Sequence, residues 1–218
     1  GAIWAHEALV RGSNGEGAGQ VLGAVTEANR YAFDQACRVK AIELAARLGL
    51  PARLSINFLP NAVYQPAACI RATLAAARRV DLPTDRIIFE VTEGEQVADR
   101  AHLRAIFEEY GRQGFLTAID DFGAGYSGLN LLAEFRPDVI KLDMELTRGI
   151  DADRARRAIV RGVLSVCDEL AITPVAEGVE TAAEAAALAG LGVRLMQGYH
   201  FARPAFEALP EIQAGACP

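Results

Sequence analysis

The sequence predicts an α/β protein built as a (β/α) barrel, on three observations. Short apolar, β-rich runs alternate with longer helical patterns, about seven such runs fit into roughly two hundred residues, and polar residues recur at or just past the carboxyl end of run after run. Repeated β-then-α units imply parallel strands joined by right-handed crossovers. Periodicity alone does not separate a closed barrel from an open doubly wound sheet. The third observation favours the barrel, because there the strand ends converge on one mouth.

In chain order, strands are expected over residues 3–11, 53–57, 86–91, 115–120, 138–142, 172–176 and 193–196. The Gly-rich residues 12–19 are a loop and not a linker, since strand and helix patterning resumes at once on both sides. Residues 22–48 are Ala-rich and helical in composition, and Gly49-Leu50-Pro51 supplies a stop before the next strand. Leu103, Ile106, Phe107 and Tyr110 fall at i, i+3, i+4 and i+7, one face of a helix. Ile159, Val160, Val163, Leu164 and Cys167 follow closely related spacing and should cover the sheet in the same way. Trp4, Phe33, Phe107 and Phe115 read as core aromatics. One domain over residues 1–218 is expected, with 211–218 as a tail.

Composition excludes several classes. With 51% hydrophobic and 23% charged residues the chain is globular, neither disordered nor collagen-like nor coiled coil. A chain of 218 residues can bury roughly 70% of its unfolded surface and needs no disulfide or structural metal to fold. Cys37, Cys69, Cys167 and Cys217 are far apart and form no CxxC pair, so reduced thiols in a cytosol are expected. The longest uncharged stretch, residues 54–70, is interrupted by Asn57, Pro60, Asn61, Gln65 and Pro66 and does not suit a bilayer. The opening GAIWAHEALVRG lacks the basic region and apolar core of a secretory signal. Its 22 Lys+Arg against 28 Asp+Glu leave a net charge of -6, which repels nucleic acid and anionic membrane. An anionic substrate therefore needs a local positive element or a bound cation.

The strand-end residues are Asn57, Glu90, Asp120 with Asp121, Lys141 with Asp143, Glu177 and Gln197. A single carboxylate after a strand reads equally well as a helix N-cap or a solvated loop residue. Six strand ends in a row read differently, because carboxylates gathered at one mouth repel each other unless cations neutralise them. The donors would be all oxygen, which selects Mg2+ or Mn2+ over Zn2+ or Cu2+. His6, His102 and His200 form no ligand-like pair and read as incidental.

Seven ordered blocks carry a family resemblance: Glu7-Ala8-Leu9-Val10-Arg11, Ser55-Ile56-Asn57, Glu90-Val91-Thr92-Glu93, Asp120-Asp121-Phe122-Gly123-Ala124-Gly125-Tyr126-Ser127, Lys141-Leu142-Asp143, Ala176-Glu177-Gly178-Val179-Glu180 and Gln197-Gly198-Tyr199. Together they resemble the EAL-domain family of bacterial cyclic-di-GMP phosphodiesterases, over nearly the whole chain. The resemblance implies hydrolysis of cyclic di-GMP to linear pGpG at two divalent metals, Mg2+ or Mn2+, in the mouth of a modified (β/α)8 barrel. It further implies that Glu7, Asn57, Glu90 and Asp120 hold the first metal and that Asp120 bridges to a second held also by Asp121. Two cations about 4 Å apart suit in-line displacement at a phosphodiester.

Lys141 is similar to the family lysine at the nucleophilic water, and Glu177 to the glutamate near the same water; either could orient it or accept its proton. A lysine beside metals should have a lowered pKa. Arg11 resembles the phosphate-binding arginine. Leu9, Asp143, Glu180 and Gln197 are expected to line the substrate site, with support of the metal ligands as the other reading of the last three. In the family, residues 121–129 form a mobile loop tied to metal binding and dimerisation, and Glu93 anchors it.

The chain departs from the family in three ways. The usual first strand, about twenty residues ahead of the EAL block, is missing from the sequence, so a barrel short of one strand is expected. DFGTG appears as DFGAG and YSS as YSG. The expected partners are cyclic di-GMP, a second copy of the chain and a regulatory sensor domain in a longer bacterial cytoplasmic protein, with no DNA, RNA or membrane contact. Two other readings stay open. One is a receptor that holds cyclic di-GMP without cleaving it; the other is a Mg2+-dependent barrel enzyme of enolase type, in which a lysine abstracts a carbon-bound proton.

Overall fold

Seven parallel strands lie side by side in chain order in the computed structural model, which describes residues 2–94, 100–125 and 128–216. They are β1 (Ala5–Ala8), β2 (Arg53–Asn57), β3 (Ile87–Thr92), β4 (Leu116–Phe122), β5 (Val139–Leu142), β6 (Thr173–Ala176) and β7 (Leu195–Met196). The α-helices are α1 (Ala18–Gly23), α2 (Arg30–Arg47), α3 (Pro66–Arg79), α4 (Arg100–Arg112), α5 (Gly128–Phe135), α6 (Met144–Thr147), α7 (Arg154–Leu170) and α8 (Ala182–Gly190). The sheet is a curled half-barrel of the modified (β/α) type that the sequence predicts. Among the described residues no strand joins β7 to β1.

Alternation along each strand sorts the core into two parts. Ile88, Ala118, Val139 and Val175, with Trp4, Ala5, Leu116 and Leu195 against them, form one apolar cluster inside the curl. Ile56, Phe89, Ile119 and Ile140 face the other way and join Ile42, Ile70, Ile106 and Val160 of the helices in the larger core. Each such buried side chain contributes about 1.5–3 kcal/mol.

All seven expected strands form, with shifted ends. Residues 3–11 pair only over Ala5–Ala8, since β1 is an edge strand with one partner. The helical stretch 22–48 breaks in two, and Ala18 and Gly19, expected in the loop, begin α1. Asn29 makes the break: its Oδ1 accepts from Thr26 N at 2.6 Å and its Nδ2 donates to Ala24 O at 3.1 Å, an alternative to helical bonding. On α7, Val160, Val163 and Cys167 are buried but Ile159 is 52% exposed, one step off the apolar stripe. Asp153 caps α7 by accepting from Ala155 N and Arg156 N, and Thr181 with Glu184 forms a capping box on α8.

The segment after β7 is irregular but not loose. Glu207 pairs with Lys40 and Arg47 on α2. Of the expected tail, Gln213 N donates to Phe201 O at 2.8 Å and His200 Nε2 lies 3.0 Å from Ala216 O. Residues 213–216 are therefore tethered and not free, while Cys217 and Pro218 lie outside the described residues. Cys37, Cys69 and Cys167 are free thiols. Among the described residues no helix is long and apolar enough to cross a membrane.

Candidate active site

The register that packs the inner apolar cluster also builds the layer above it. Glu7 pairs with Ser55, Asn57 with Glu90, and Lys141 with Val175. Two residues beyond Ala5, Ile88, Ala118, Val139, Val175 and Leu195 stand Glu7, Glu90, Asp120, Lys141, Glu177 and Gln197, on the same inward face. The alternation of each strand thus ends in a polar group at one mouth.

Lys141 is the centre of that layer. Its Nζ lies 2.8 Å from Glu177 Oε1, 3.0 Å from Glu90 Oε2, 3.0 Å from Asp120 Oδ1 and 3.3 Å from Glu7 Oε2. Glu7 also accepts from Asn57 Nδ2 at 2.9 Å and from Gln197 Nε2 at 2.7 Å, which ties β1 to β7 across the open edge. Ser55, two residues ahead of Asn57 and so on the same face, donates its hydroxyl to Glu90 Oε1. Ser55 was not singled out from the sequence, although the period of two marks it.

Carboxylate oxygens gather in two triads: Glu7, Glu90 and Asp120 in one, Asp120, Asp121 and Glu177 in the other, each with its oxygens within 4.8 Å of one another. Asp120 belongs to both. Four carboxylates against one ammonium leave an excess of negative charge, and the hard oxygen donors fit Mg2+ or Mn2+. Glu7, Glu90, Asp120, Asp121 and Glu177 supply the oxygens of the two triads, and Asn57, expected among the ligands, stands beside them with its Nδ2 on Glu7.

The electrostatics record the strain of that gathering. Burial, then repulsion from Glu7 and Asp120, pushes the Glu90 carboxyl up against the opposing pull of Lys141. Glu177 is pushed up by burial as well, again against Lys141. Burial followed by the neighbouring Asp120 and Asp143 raises Asp121 to about 6. For Lys141, burial alone would lower the pKa, but Glu90, Glu7, Glu177 and Asp120 outweigh it and hold the ammonium well above its ordinary value. The lowered pKa expected from the sequence assumed cations beside the lysine. With carboxylates alone the direction reverses.

Strict alternation would send Asp120 and Asp121 to opposite faces. The pairing of β4 with β5 shifts register between Ile119 and Phe122, and Asp121 adopts φ 53. This bulge brings both carboxylates to the mouth. Glu93 secures the loop that follows: its Oε2 accepts from Gly123 N at 2.7 Å, and a Cβ on Gly125 would meet its Oε1 at 2.7 Å. Tyr126 and Ser127 of the same motif lie outside the described residues.

The expected substrate residues are arranged less uniformly. Leu9 is exposed and Arg11 donates Nη1 to Val10 O at 2.7 Å; neither touches the carboxylate cluster. Glu180 pairs with Arg148 at the rim, and Arg148 had no signal in the sequence. Asp143 is buried and caps α6, its Oδ1 accepting from Glu145 N at 2.8 Å. His102 contacts Val63 O and His200 contacts Ala216 O, away from the cluster. All of Glu7, Leu9, Arg11, Lys141, Glu177 and Glu180 border one cavity of about 1750 Å³.

A family model described as the EAL domain matches residues 1–204. Among curated proteins, the blue light- and temperature-regulated antirepressor BluF of Escherichia coli (strain K12) is 30% identical over 96% of this chain and 52% of its own length. The cyclic di-GMP phosphodiesterase RocR of Pseudomonas aeruginosa is 33% identical over 73% of this chain and 40% of its own length. The chain thus spans about half the length of these curated relatives, or less. Among solved structures, a standalone EAL protein from Vibrio cholerae O395, in a c-di-GMP bound form, is 56% identical over 98% of this chain and 90% of that one, with TM-score 0.95. Klebsiella pneumoniae BlrP1, in complex with manganese and cyclic di-GMP, is 39% identical over 94% of this chain and 53% of that one, with TM-score 0.89. An acidic half-barrel mouth, matched in sequence along almost the whole chain and in fold nearly end to end, makes this protein a member of the EAL domain family.

Proposed function

We propose that the chain hydrolyses one phosphodiester bond of cyclic di-GMP to give linear 5'-pGpG, with two divalent cations, Mg2+ or Mn2+, at the mouth. The observation that carries this reading is the pair of carboxylate triads sharing Asp120. The phosphodiesterase among its relatives, the c-di-GMP in the Vibrio protein and the manganese in BlrP1 support it.

Bound cations would supply Lewis acidity and lower the pKa of an attacking water. The residues do the rest. Glu7, Asn57, Glu90 and Asp120 would hold the first ion, and Asp120 with Asp121 would hold the second. Lys141 and Glu177, 2.8 Å apart, orient the water and hold its proton between them. The water oxygen bonds to phosphorus, the bond from phosphorus to the ribose 3'-oxygen breaks, and that oxygen takes up a proton. Arg11 binds the phosphate from the rim as a planar donor fork. Leu9, Asp143, Glu180 and Gln197 border the substrate, and Glu93 keeps the loop after β4 in place.

Chromatography for pGpG after incubating purified protein with cyclic di-GMP and Mg2+ or Mn2+ tests the reading. Folded protein that yields no product with either metal overturns it. The relative named as an antirepressor and not as an enzyme favours a second reading, a receptor that binds cyclic di-GMP without cleaving it. Calorimetry with and without EDTA separates the two: affinity without product in the presence of metal marks a receptor. On either reading the chain is the output module of a longer bacterial cytoplasmic signalling protein, acting as a homodimer under a sensor domain.

A further inference from the structure

A second buried cation sits on the opposite face of the sheet. Arg38 of α2 is fully buried, with Cζ 5.2 Å from the ring centre of Phe89, 5.4 Å from Phe58 and 5.7 Å from Tyr110. Its Nη2 pairs with Asp34 Oδ2 at 2.6 Å, and its Nη1 donates to the Tyr110 hydroxyl of α4 at 2.7 Å. Stability alone does not account for this group. A buried ion pair is commonly no more stable than apolar side chains of the same volume.

The cluster is joined to the active-site layer by the peptide chain. Phe58 directly follows Asn57, and Phe89 directly precedes Glu90, so both rings stand behind the sheet where Asn57 and Glu90 stand in front of it. Asp34 uses its Oδ1 to accept from Leu59 N at 2.9 Å, which fixes the exit of β2 two residues past Asn57. Phe58 N donates to Glu90 O at 3.0 Å and locks that exit to β3. The ion pair itself is poorly aligned: Asp34 Oδ2 and Arg38 Nε and Nη2 make no hydrogen bond. The aligned bonds of Asp34 and Arg38 run to the β2 exit and to α4.

We propose that Asp34, Arg38 and Tyr110 are positioning residues, which hold the ends of β2 and β3 so that Asn57 and Glu90 converge on one divalent cation and thereby set its affinity. The inference rests on the metal reading above. Arg38 and Tyr110 do not border the cavity, and Asp34, which does, bonds to Leu59 N and Arg38 and to no carboxylate of the mouth; each acts through a ring or a peptide bond near a ligand.

Calorimetric titration of the metal-free proteins with Mn2+, alongside thermal unfolding, tests it with Arg38→Met, Tyr110→Phe and Leu188→Ala. The last removes a buried side chain of α8, outside the cluster. Arg38→Met should raise the Mn2+ dissociation constant by about 10- to 100-fold. Tyr110→Phe, which keeps the ring and loses only the hydroxyl, should raise it about threefold. Leu188→Ala should lower the melting temperature and leave the dissociation constant unchanged. If Arg38→Met fails to fold, Tyr110→Phe decides. Wild-type affinity in the folded variants overturns the positioning role and leaves the metal reading intact. A wild-type protein that binds no Mn2+ overturns the metal reading itself.

Discussion

The two buried cations among the described residues, Arg38 and Lys141, stand on opposite faces of the same sheet and differ in what surrounds them. Arg38 has one carboxylate, Asp34, and three aromatic rings, so its charge is balanced within the fold. Lys141 has four carboxylates, and the fold supplies no further cation there among the described residues. A balanced buried ion belongs to the architecture. An unbalanced one marks a place where charge must come from outside, and so a place for a ligand.

Substitutions can break that contrast. Asp120→Ala should have the largest effect, removing the one oxygen donor common to both triads and abolishing turnover; a normal rate of pGpG formation would show that nothing is shared there. Next come the cations themselves. Arg38→Met leaves Asp34 buried without its partner and should cost about 3–5 kcal/mol in a urea titration. Lys141→Met should also destabilise the metal-free protein, but Mn2+ at about 100 times its dissociation constant should restore about 2.7 kcal/mol. At the same Mn2+ concentration Arg38→Met, binding about 10- to 100-fold more weakly, should regain only about 0.4–1.4 kcal/mol, and an equal rescue would erase the distinction between the two sites.

Smaller effects sharpen the picture at the rim. Arg11→Ala should raise KM more than it lowers kcat in steady-state assays, because the guanidinium binds the phosphate in ground and transition state alike. Asp121→Gly should raise the stability of the metal-free protein by about 1 kcal/mol in denaturant titrations, since glycine accepts φ 53 without strain. It also removes a carboxylate whose pKa is raised to about 6 by burial and by its acidic neighbours. The gain in stability should come with a loss of turnover.

The sequence exposed the front of the sheet better than its back. Polar residues at successive strand ends placed Asn57, Glu90, Asp120, Lys141, Glu177 and Gln197 at one mouth, because strand ends converge in a barrel, while Glu7 was legible only through the family motif. Arg38 carried no comparable signal. An arginine in an Ala-rich helix reads as surface, and only the packing of α2 and α4 against Phe58 and Phe89 makes it interior. The helix break at Asn29 was missed for a related reason: composition favours helix throughout, while one side chain's bonds to Thr26 and Ala24 decide the turn. The family motif named Asp121 as a ligand, but alternation pointed it away, and the bulge that reconciles them is a property of the β4 and β5 pairing.

That bulge differs in kind from every other feature of the mouth. The remaining donors depend on which amino acid stands at a position, but the pairing of Asp120 with Asp121 depends on how many residues β4 contains between Ile119 and Phe122. Removing Asp121 by deletion would restore regular pairing and leave a well-formed strand with one acidic group at its end. On the two-metal reading proposed above, the second site of this chain is therefore a matter of strand length, and a deletion of three bases would remove it.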